Sequence, residues 1–176
     1  MADSGQLICV LAGEKDAIAK ARPFGKGVIG RAEIDFSDQP AGKSTLLKVV
    51  GNTFILNMVE MLAEGHTLAE KTGLGTENLH SWIETMFPGP YAAYSARMLA
   101  GDYYRRDEPL FQVDLARKDA RHALDLARTT GTNMPAVQVG DAHLAKVKEH
   151  LGEKGDLPSI YGVVRQESGL KFANMD

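Results

Sequence analysis

Two pairs of polar residues in this sequence have the types and spacing that substrate binding and proton transfer require. The first pair is Lys48 and Asn52, which lie four residues apart within a long apolar segment. On a helix this spacing places both side chains on one face, one turn apart. A lysine can then pass a proton to or from a hydroxyl or carbonyl oxygen, while the amide fixes the orientation of the same group.

Lys48 also has a purely structural interpretation. Removing a lysine from water is costly unless a partner receives its charge. A lysine at the edge of a helix avoids that cost, because its aliphatic stem can extend until the ammonium reaches solvent. The residue types and their spacing leave both interpretations open.

The second pair is Lys118–Asp119, in an amphipathic segment that ends at Gly131. Its apolar stripe consists of residues 113, 116, 120, 123, 124 and 127, a helical spacing. We predict that Lys118 and Asp119 lie away from this stripe. Taken alone, such a pair is most often a solvated ion pair that contributes little.

The segment that would position Lys48 and Asn52 runs from Gly42 to about Thr72 and contains no proline. Apolar residues occupy almost its whole circumference, which predicts a helix that other elements must surround. At 1.5 Å per residue the helix would be roughly 45 Å long, more than the width of a small domain.

The N-terminal residues predict a different structure. Residues 6–12 and 28–36 are short, apolar, β-prone runs, and residues 14–21 between them predict a short helix. A two-stranded unit is not stable by itself, and everything after residue 42 reads as helix. The sequence therefore predicts a mainly α chain, with a boundary between residues 40 and 41.

Composition excludes several classes of function. The net charge of −3 gives no reason to expect nucleic-acid binding. No apolar run approaches the 18 or so residues of a membrane span, because Lys48 interrupts the best candidate. The histidines lack zinc-binding spacing, and the single cysteine, Cys9, fits a reducing compartment. We expect a cytoplasmic protein without a metal site.

Several short motifs, taken in order along the chain, resemble the β-hydroxyacid dehydrogenase family. These are A-x-x-G-x-L at Ala2, Gly5 and Leu7, then Pro-Ala-Gly before a helix carrying K-x-x-x-N, then Lys-Asp after a phenylalanine. The family includes 3-hydroxyisobutyrate dehydrogenase and the glyoxylate/succinic semialdehyde reductases. The 6-phosphogluconate dehydrogenases and imine reductases are relatives.

The resemblance implies an architecture as well as a chemistry. Such enzymes have a Rossmann domain with a G-x-G-x-x-G turn, a long interdomain helix and an all-helical C-terminal domain. This sequence resembles only the later part, so residues 1–40 are expected to be a remnant of the nucleotide-binding domain. Residues 41–176 are expected to be a helical bundle that binds substrate and forms a dimer.

The resemblance also implies roles for individual residues. Lys48 is similar to the catalytic lysine that gives or takes the proton at the substrate oxygen, and Asn52 to the asparagine that orients the substrate. Lys118 is similar to a lysine on the nicotinamide side of the cofactor, supported by Asp119. Gly42 is similar to a glycine that lets the chain approach the ligand.

Two positions depart from the family pattern, and a third narrows the activities that the pattern allows. Gly51 stands where the 6-phosphogluconate enzymes have histidine, and Ser44 stands where a second glycine is common. The missing histidine argues against 6-phosphogluconate as a substrate. Lysine at position 48, where imine reductases typically have aspartate or tyrosine, argues against that activity. The particular hydroxyacid remains open.

The expected function is therefore a part of an NAD(P)-dependent oxidoreductase that interconverts a small hydroxyacid and its aldehyde or keto acid. NAD or NADP is expected in the complete enzyme and none in this chain alone, because the glycine-rich turn is missing. A homodimer or higher oligomer is expected through the helix at 42–72. The alternative is a non-catalytic helical interaction module derived from the same family.

Overall fold

The structure, a computed structural model, describes residues 3–175 and divides into two compact units, Met1–Gly51 and Asn52–Asp176. Ala2, one of the residues that carry the family resemblance, lies outside the described residues, as do Met1 and Asp176. The division between the units falls inside a helix, whereas we predict a domain boundary at 40/41. That domain assignment stays a prediction, and each unit is described by itself.

The first unit contains a parallel two-stranded sheet with a helix between its strands. Its elements are β1 (Leu7–Gly13), α1 (Lys15–Ala21), a 3₁₀ turn (Arg22–Phe24) and β2 (Gly30–Ser37). The register runs from Ile8 opposite Ala32 to Gly13 opposite Ser37, with one irregularity after Leu7. The predicted strand–helix–strand order is therefore present, with small shifts in its boundaries.

Gly30 explains how β2 can begin so close to β1. A Cβ atom at this position would lie 2.6 Å from Cys9 Sγ and 2.8 Å from the Leu7 carbonyl oxygen. Only glycine permits that approach, so the pairing of β2 with β1 requires glycine at this position.

Helix α2 (Gly42–Lys71) is the longest element, with 30 residues. The helix predicted from Gly42 to about Thr72 is thus confirmed to within a residue. It ends just before Gly73, which has a φ of 75° that favours glycine.

The second unit consists of the later part of α2 and shorter helices. These are α3 (Thr76–Met86), α4 (Pro90–Leu99), α5 (Asp102–Arg105), α6 (Val113–Thr130), α7 (Pro135–Leu151) and α8 (Ile160–Glu167), with 3₁₀ turns at Gly152–Lys154 and Leu157–Ser159. The chain is 66% helical, which confirms the mainly α class.

Two details of the second unit differ from what local residue types favour. Threonine is a common N-cap, but Thr76 is the first helical residue of α3, and the capping position is Gly75 with a φ of 88°. The segment that reads as a polar, aromatic loop contains the one-turn helix α5, whose Tyr103 is buried. Burial of this aromatic ring in the core stabilises a turn that its polar neighbours do not predict.

Helix α2 lies at the centre of the core of the second unit. Val59, Leu62 and Ala63 are buried in this core. Around them pack buried side chains from the other helices, among them Met98, Tyr103, Leu144, Val147, Ile160 and Tyr161. Gly140 permits the close approach of α7, since a Cβ there would lie 2.9 Å from Leu56.

Among the described residues, α2 alone satisfies the length and composition of a membrane span. Core helices of soluble proteins satisfy the same criteria, and α2 supplies several core residues. The expectation that no segment is long and apolar enough is therefore wrong for α2. The absence of a membrane partner stays a prediction.

A buried polar contact joins α2 to α3 and α4. His66 is fully buried, with its Nε2 2.8 Å from Ser95 Oγ, and His80 Nδ1 lies 2.7 Å from the same oxygen. Burial lowers the pKa of His66 to about 4, helped by the nearby His80. The folded chain therefore keeps His66 neutral through a range in which the unfolded chain protonates it.

This pKa shift predicts acid-sensitive stability. The contribution of neutral His66 to the free energy of unfolding is fully present above pH 6.5 and is lost as the pH falls from there towards 4. Between pH 7.5 and pH 5, the wild type should lose about 2 kcal/mol more of its free energy of unfolding than His66→Gln loses. Urea unfolding at the two pH values measures this difference. His122→Gln, at an exposed position, is the control. Parallel pH profiles for wild type and His66→Gln would contradict this assignment.

Candidate active site

The centre of the candidate site is a hydrogen bond between α2 and α6. Asn52 Nδ2 donates to Asp119 Oδ2 over 2.5 Å. Asp119 is only 6% exposed, although it is a carboxylate. Two residues that are 67 positions apart in the chain, both singled out from the sequence, are therefore in direct contact.

The burial of Asp119 corrects the prediction that it lies away from the apolar stripe of α6. The buried face of this helix consists of Val113, Ala116, Asp119, Ala120, Ala123 and Ala127. Asp119 lies three residues after Ala116 and four before Ala123, so the helical spacing already placed it on that face. The signal was present in the sequence, but the polarity of the residue obscured it.

Lys118 contacts the other oxygen of the same carboxylate. Its Nζ lies 3.2 Å from Asp119 Oδ1, and its side chain is 46% exposed. Asp119 therefore directs one oxygen to a substrate-binding candidate and the other to a cofactor-binding candidate. Because Lys118 is half exposed, its ammonium can still reach an oxygen of an incoming ligand.

A small recess lies beside this contact. It is lined by Asn52, Thr53, Leu56, Phe111, Ala116, Asp119, Ala120 and Leu157. Its volume is about 10 Å³, which is about the room that one water molecule needs. A hydroxyacid cannot enter it, so a substrate of Asn52 must approach from the open side of the residue.

Gly42 and Lys48 lie on the first two turns of α2, within the first unit. Lys48 is exposed, so it bears no burial cost, in agreement with the structural interpretation of this lysine. The catalytic role of Lys48 stays a prediction. A Cβ at Gly42 would meet no atom within 4 Å, so packing does not require glycine there.

The turn between β1 and α1 can be compared with what the pyrophosphate of a nicotinamide dinucleotide requires. The role of Lys118 on the nicotinamide side stays a prediction. The turn from β1 to α1 passes through Gly13 and Glu14, and Asp16 lies in the first turn of the helix. Acidic residues at a helix N-terminus disfavour an anion, so this turn does not suit a pyrophosphate.

The five predicted site residues lie in a segment with a clear family match. A family model described as NAD-binding of NADP-dependent 3-hydroxyisobutyrate dehydrogenase matches residues 42–164. The chain belongs to the β-hydroxyacid dehydrogenase family. The match begins at Gly42 and includes Lys48, Asn52, Lys118 and Asp119.

Individual relatives agree with this family assignment. The NADH-dependent oxidoreductase ucdB of Aspergillus ustus is 32% identical over 99% of this chain and 58% of its own length. Glyoxylate/succinic semialdehyde reductase 2 of Arabidopsis thaliana is 28% identical over 86% of this chain and 40% of its own. The chain thus spans about half the length of the curated relatives it matches.

A solved structure shows the same fold. The 3-hydroxyisobutyrate dehydrogenase of Salmonella typhimurium superposes with a TM-score of 0.78, at 18% identity, over 92% of this chain and 55% of its own. At that identity the likeness concerns the fold alone. It confirms the prediction of a mainly α chain with a short strand–helix–strand unit.

Proposed function

We propose that this chain supplies the substrate-binding and dimerising part of an NAD(P)-dependent oxidoreductase, which interconverts a small hydroxyacid and its aldehyde or keto acid. The observation that carries the proposal is the contact of Asn52, Asp119 and Lys118 within the segment that matches the family. Residues of the types that such a reaction needs are thereby gathered from two helices that are distant in the chain.

The chemistry divides between the cofactor and the protein. In the complete enzyme, a bound reduced nicotinamide would supply a hydride to the carbonyl carbon of the substrate. Lys48 would give a proton to the carbonyl oxygen, which becomes the hydroxyl, and would take it back in the reverse direction. Asn52 would orient the substrate, and Lys118 would lie on the nicotinamide side of the cofactor.

The substrate class follows from the same family. Relatives are named for 3-hydroxyisobutyrate, glyoxylate and succinic semialdehyde, all small molecules that carry a carboxylate. An exposed, oriented ammonium such as that of Lys118 can also pair with a carboxylate, and a group of this size can lie over the open side of Asn52. A panel of these three substrates therefore covers the proposed class.

The alternative is a non-catalytic helical module that has kept the family fold. The observation in its favour is the exposed apolar surface of α2, which suits association and needs no chemistry. The two functions differ in one respect: a catalytic chain requires Lys48, whereas an association module tolerates its loss.

The catalytic role of Lys48 can be tested in a chimera. The part of the Aspergillus ustus oxidoreductase that precedes its matched segment would be joined in frame to this chain. We expect NAD(P)H-dependent reduction of at least one of glyoxylate and succinic semialdehyde, or oxidation of 3-hydroxyisobutyrate. Lys48→Ala should lower kcat by about 100-fold or more, because a general acid/base is lost.

Two further variants complete this experiment. Lys48→Arg should be nearly as inactive as Lys48→Ala, because a guanidinium does not release its proton near neutral pH. Lys43→Ala removes another exposed lysine from the start of α2 and should leave kcat unchanged. Activity of the Lys48→Ala chimera within about threefold of the unmodified chimera would favour the association module.

Cofactor binding by the 176-residue chain alone gives a second prediction. We expect no heat of binding on calorimetric titration with NADH or NADPH up to millimolar concentration. The physical reason is that the β1–α1 turn presents Glu14 and Asp16 where a pyrophosphate would need backbone amides and a positive helix end. Micromolar binding of either dinucleotide would contradict the prediction.

The exposed face of α2 supports the proposal of a homodimer. Phe54, Met61 and Leu68 are 73%, 52% and 64% exposed, and they follow one another at intervals of seven residues. A seven-residue apolar repeat places side chains along one line of a helix, as in helices that pair with a partner helix. A second copy of the chain presents the same line and can cover it.

This surface predicts the state of assembly. Sedimentation equilibrium at low micromolar concentration should show a dimer or larger. We expect the interface of this assembly to bury more than about 2,000 Å² in total. Phe54→Asp should shift the equilibrium towards the 19.1 kDa monomer. Leu110→Asp changes a residue that is 63% exposed but lies outside α2, and should have no effect. A stable, folded monomer of the unmodified chain would refute the proposal.

A further inference from the structure

We infer that Asp119 is a positioning residue, which holds the side-chain amide of Asn52 in one orientation and thereby decides which atom meets the substrate. The inference rests on the proposed function for the identity of the substrate. The orientation of Asn52 itself can be measured without any activity.

The direction of the hydrogen bond between Asn52 and Asp119 follows from the chemistry of the two groups. An ionised carboxylate can only accept, whereas a side-chain amide has a donating nitrogen and an accepting oxygen. Because Asn52 contacts Asp119, the atom that faces the carboxylate is Nδ2 and the oxygen Oδ1 faces away. A neutral partner such as another amide would allow Asn52 to lie either way.

The carboxylate of Asp119 lies on a buried and mostly apolar face of α6. Asp119 occupies a face of α6 that consists otherwise of one valine and four alanines. Burying a carboxylate is costly unless its oxygens receive hydrogen bonds, and an alanine in its place would favour the helix. Apolar packing therefore does not account for an aspartate here, whereas its polar partners, Asn52 among them, do.

The carboxylate of Asp119 also contacts Lys118. The two oxygens of one carboxylate contact Asn52 Nδ2 at 2.5 Å and Lys118 Nζ at 3.2 Å. Asp119 therefore connects the substrate-side and the cofactor-side candidate through one buried carboxylate.

The orientation has a chemical consequence for the two forms of the substrate. The Oδ1 atom of Asn52 accepts a hydrogen bond from the hydroxyl group of the alcohol form. The second N–H of Nδ2 remains able to donate to the carbonyl oxygen of the oxidised form. A fixed amide therefore recognises both forms without rotating, which lowers the reorganisation needed between them.

The orientation can be measured by NMR on the 176-residue chain, labelled with ¹⁵N-asparagine and assigned by the loss of one signal in Asn52→Ala. In the wild type, we expect the Asn52 side-chain amide to exchange with solvent about tenfold or more slowly than that of the exposed Asn133. Equal exchange rates would overturn the inference, and this comparison requires no variant at Asp119.

Substitution at Asp119 gives the second measurement. Asp119→Asn keeps the shape but can donate or accept, so the Asn52 amide signal should shift or split and its exchange should accelerate about tenfold. Asp125→Asn makes the same change at an exposed position of α6 and should leave the Asn52 signal unchanged. An unchanged Asn52 signal in Asp119→Asn would show that Asp119 does not orient it.

The chimera separates this inference from the proposed function. In an active chimera, Asp119→Asn should lower kcat about tenfold or more, and Asp125→Asn should not. Unchanged kcat in Asp119→Asn would refute a positioning role in catalysis. A completely inactive chimera would count against the proposed function, while the NMR result would still decide how Asn52 is held.

Discussion

The second unit depends on directional polar contacts that α2 makes with the helices around it. Asn52 contacts Asp119 on α6, Glu60 contacts His143 on α7, His66 contacts Ser95 on α4, and Glu70 contacts Arg165 on α8. Each of these hydrogen bonds has at least one buried partner. Apolar side chains stabilise packing but tolerate rotation and sliding, whereas hydrogen bonds of this kind favour one arrangement. The helices therefore have one register against α2, which the apolar core alone would not specify.

The candidate site is one of these contacts rather than an addition to them. The hydrogen bond from Asn52 that sets α6 against α2 is the same bond that orients Asn52 towards a substrate. Its small recess of about 10 Å³ leaves little space for the two side chains to move. The packing of α2 and α6 thus determines the positions of the side chains at the candidate site. Rigid helices hold functional groups more precisely than loops do.

Sequence patterns predicted what depends on local periodicity and missed what depends on distant partners. The bounds of α2 and the approximate positions of β1 and β2 followed from apolar spacing and from glycine and proline. The burial of Asp119 was available from its position between Ala116 and Ala123, but polarity argued against it. The pairing of His66 with Ser95, 29 residues away, has no local signal, because only the assembled core brings them together.

Two histidines on this core set opposite limits on stability. The pKa of His143 is raised, mainly by its hydrogen bond to Glu60. The contribution of protonated His143 to the free energy of unfolding is therefore fully present below pH 6.5 and is lost as the pH rises through the raised pKa. Burial acts on His66 in the other direction, and its contribution disappears as the pH falls from 6.5 towards 4. As far as these two groups contribute to it, the stability of the second unit therefore decreases on both sides of pH 6.5. The polar contacts that α2 makes thus also make that stability depend on pH.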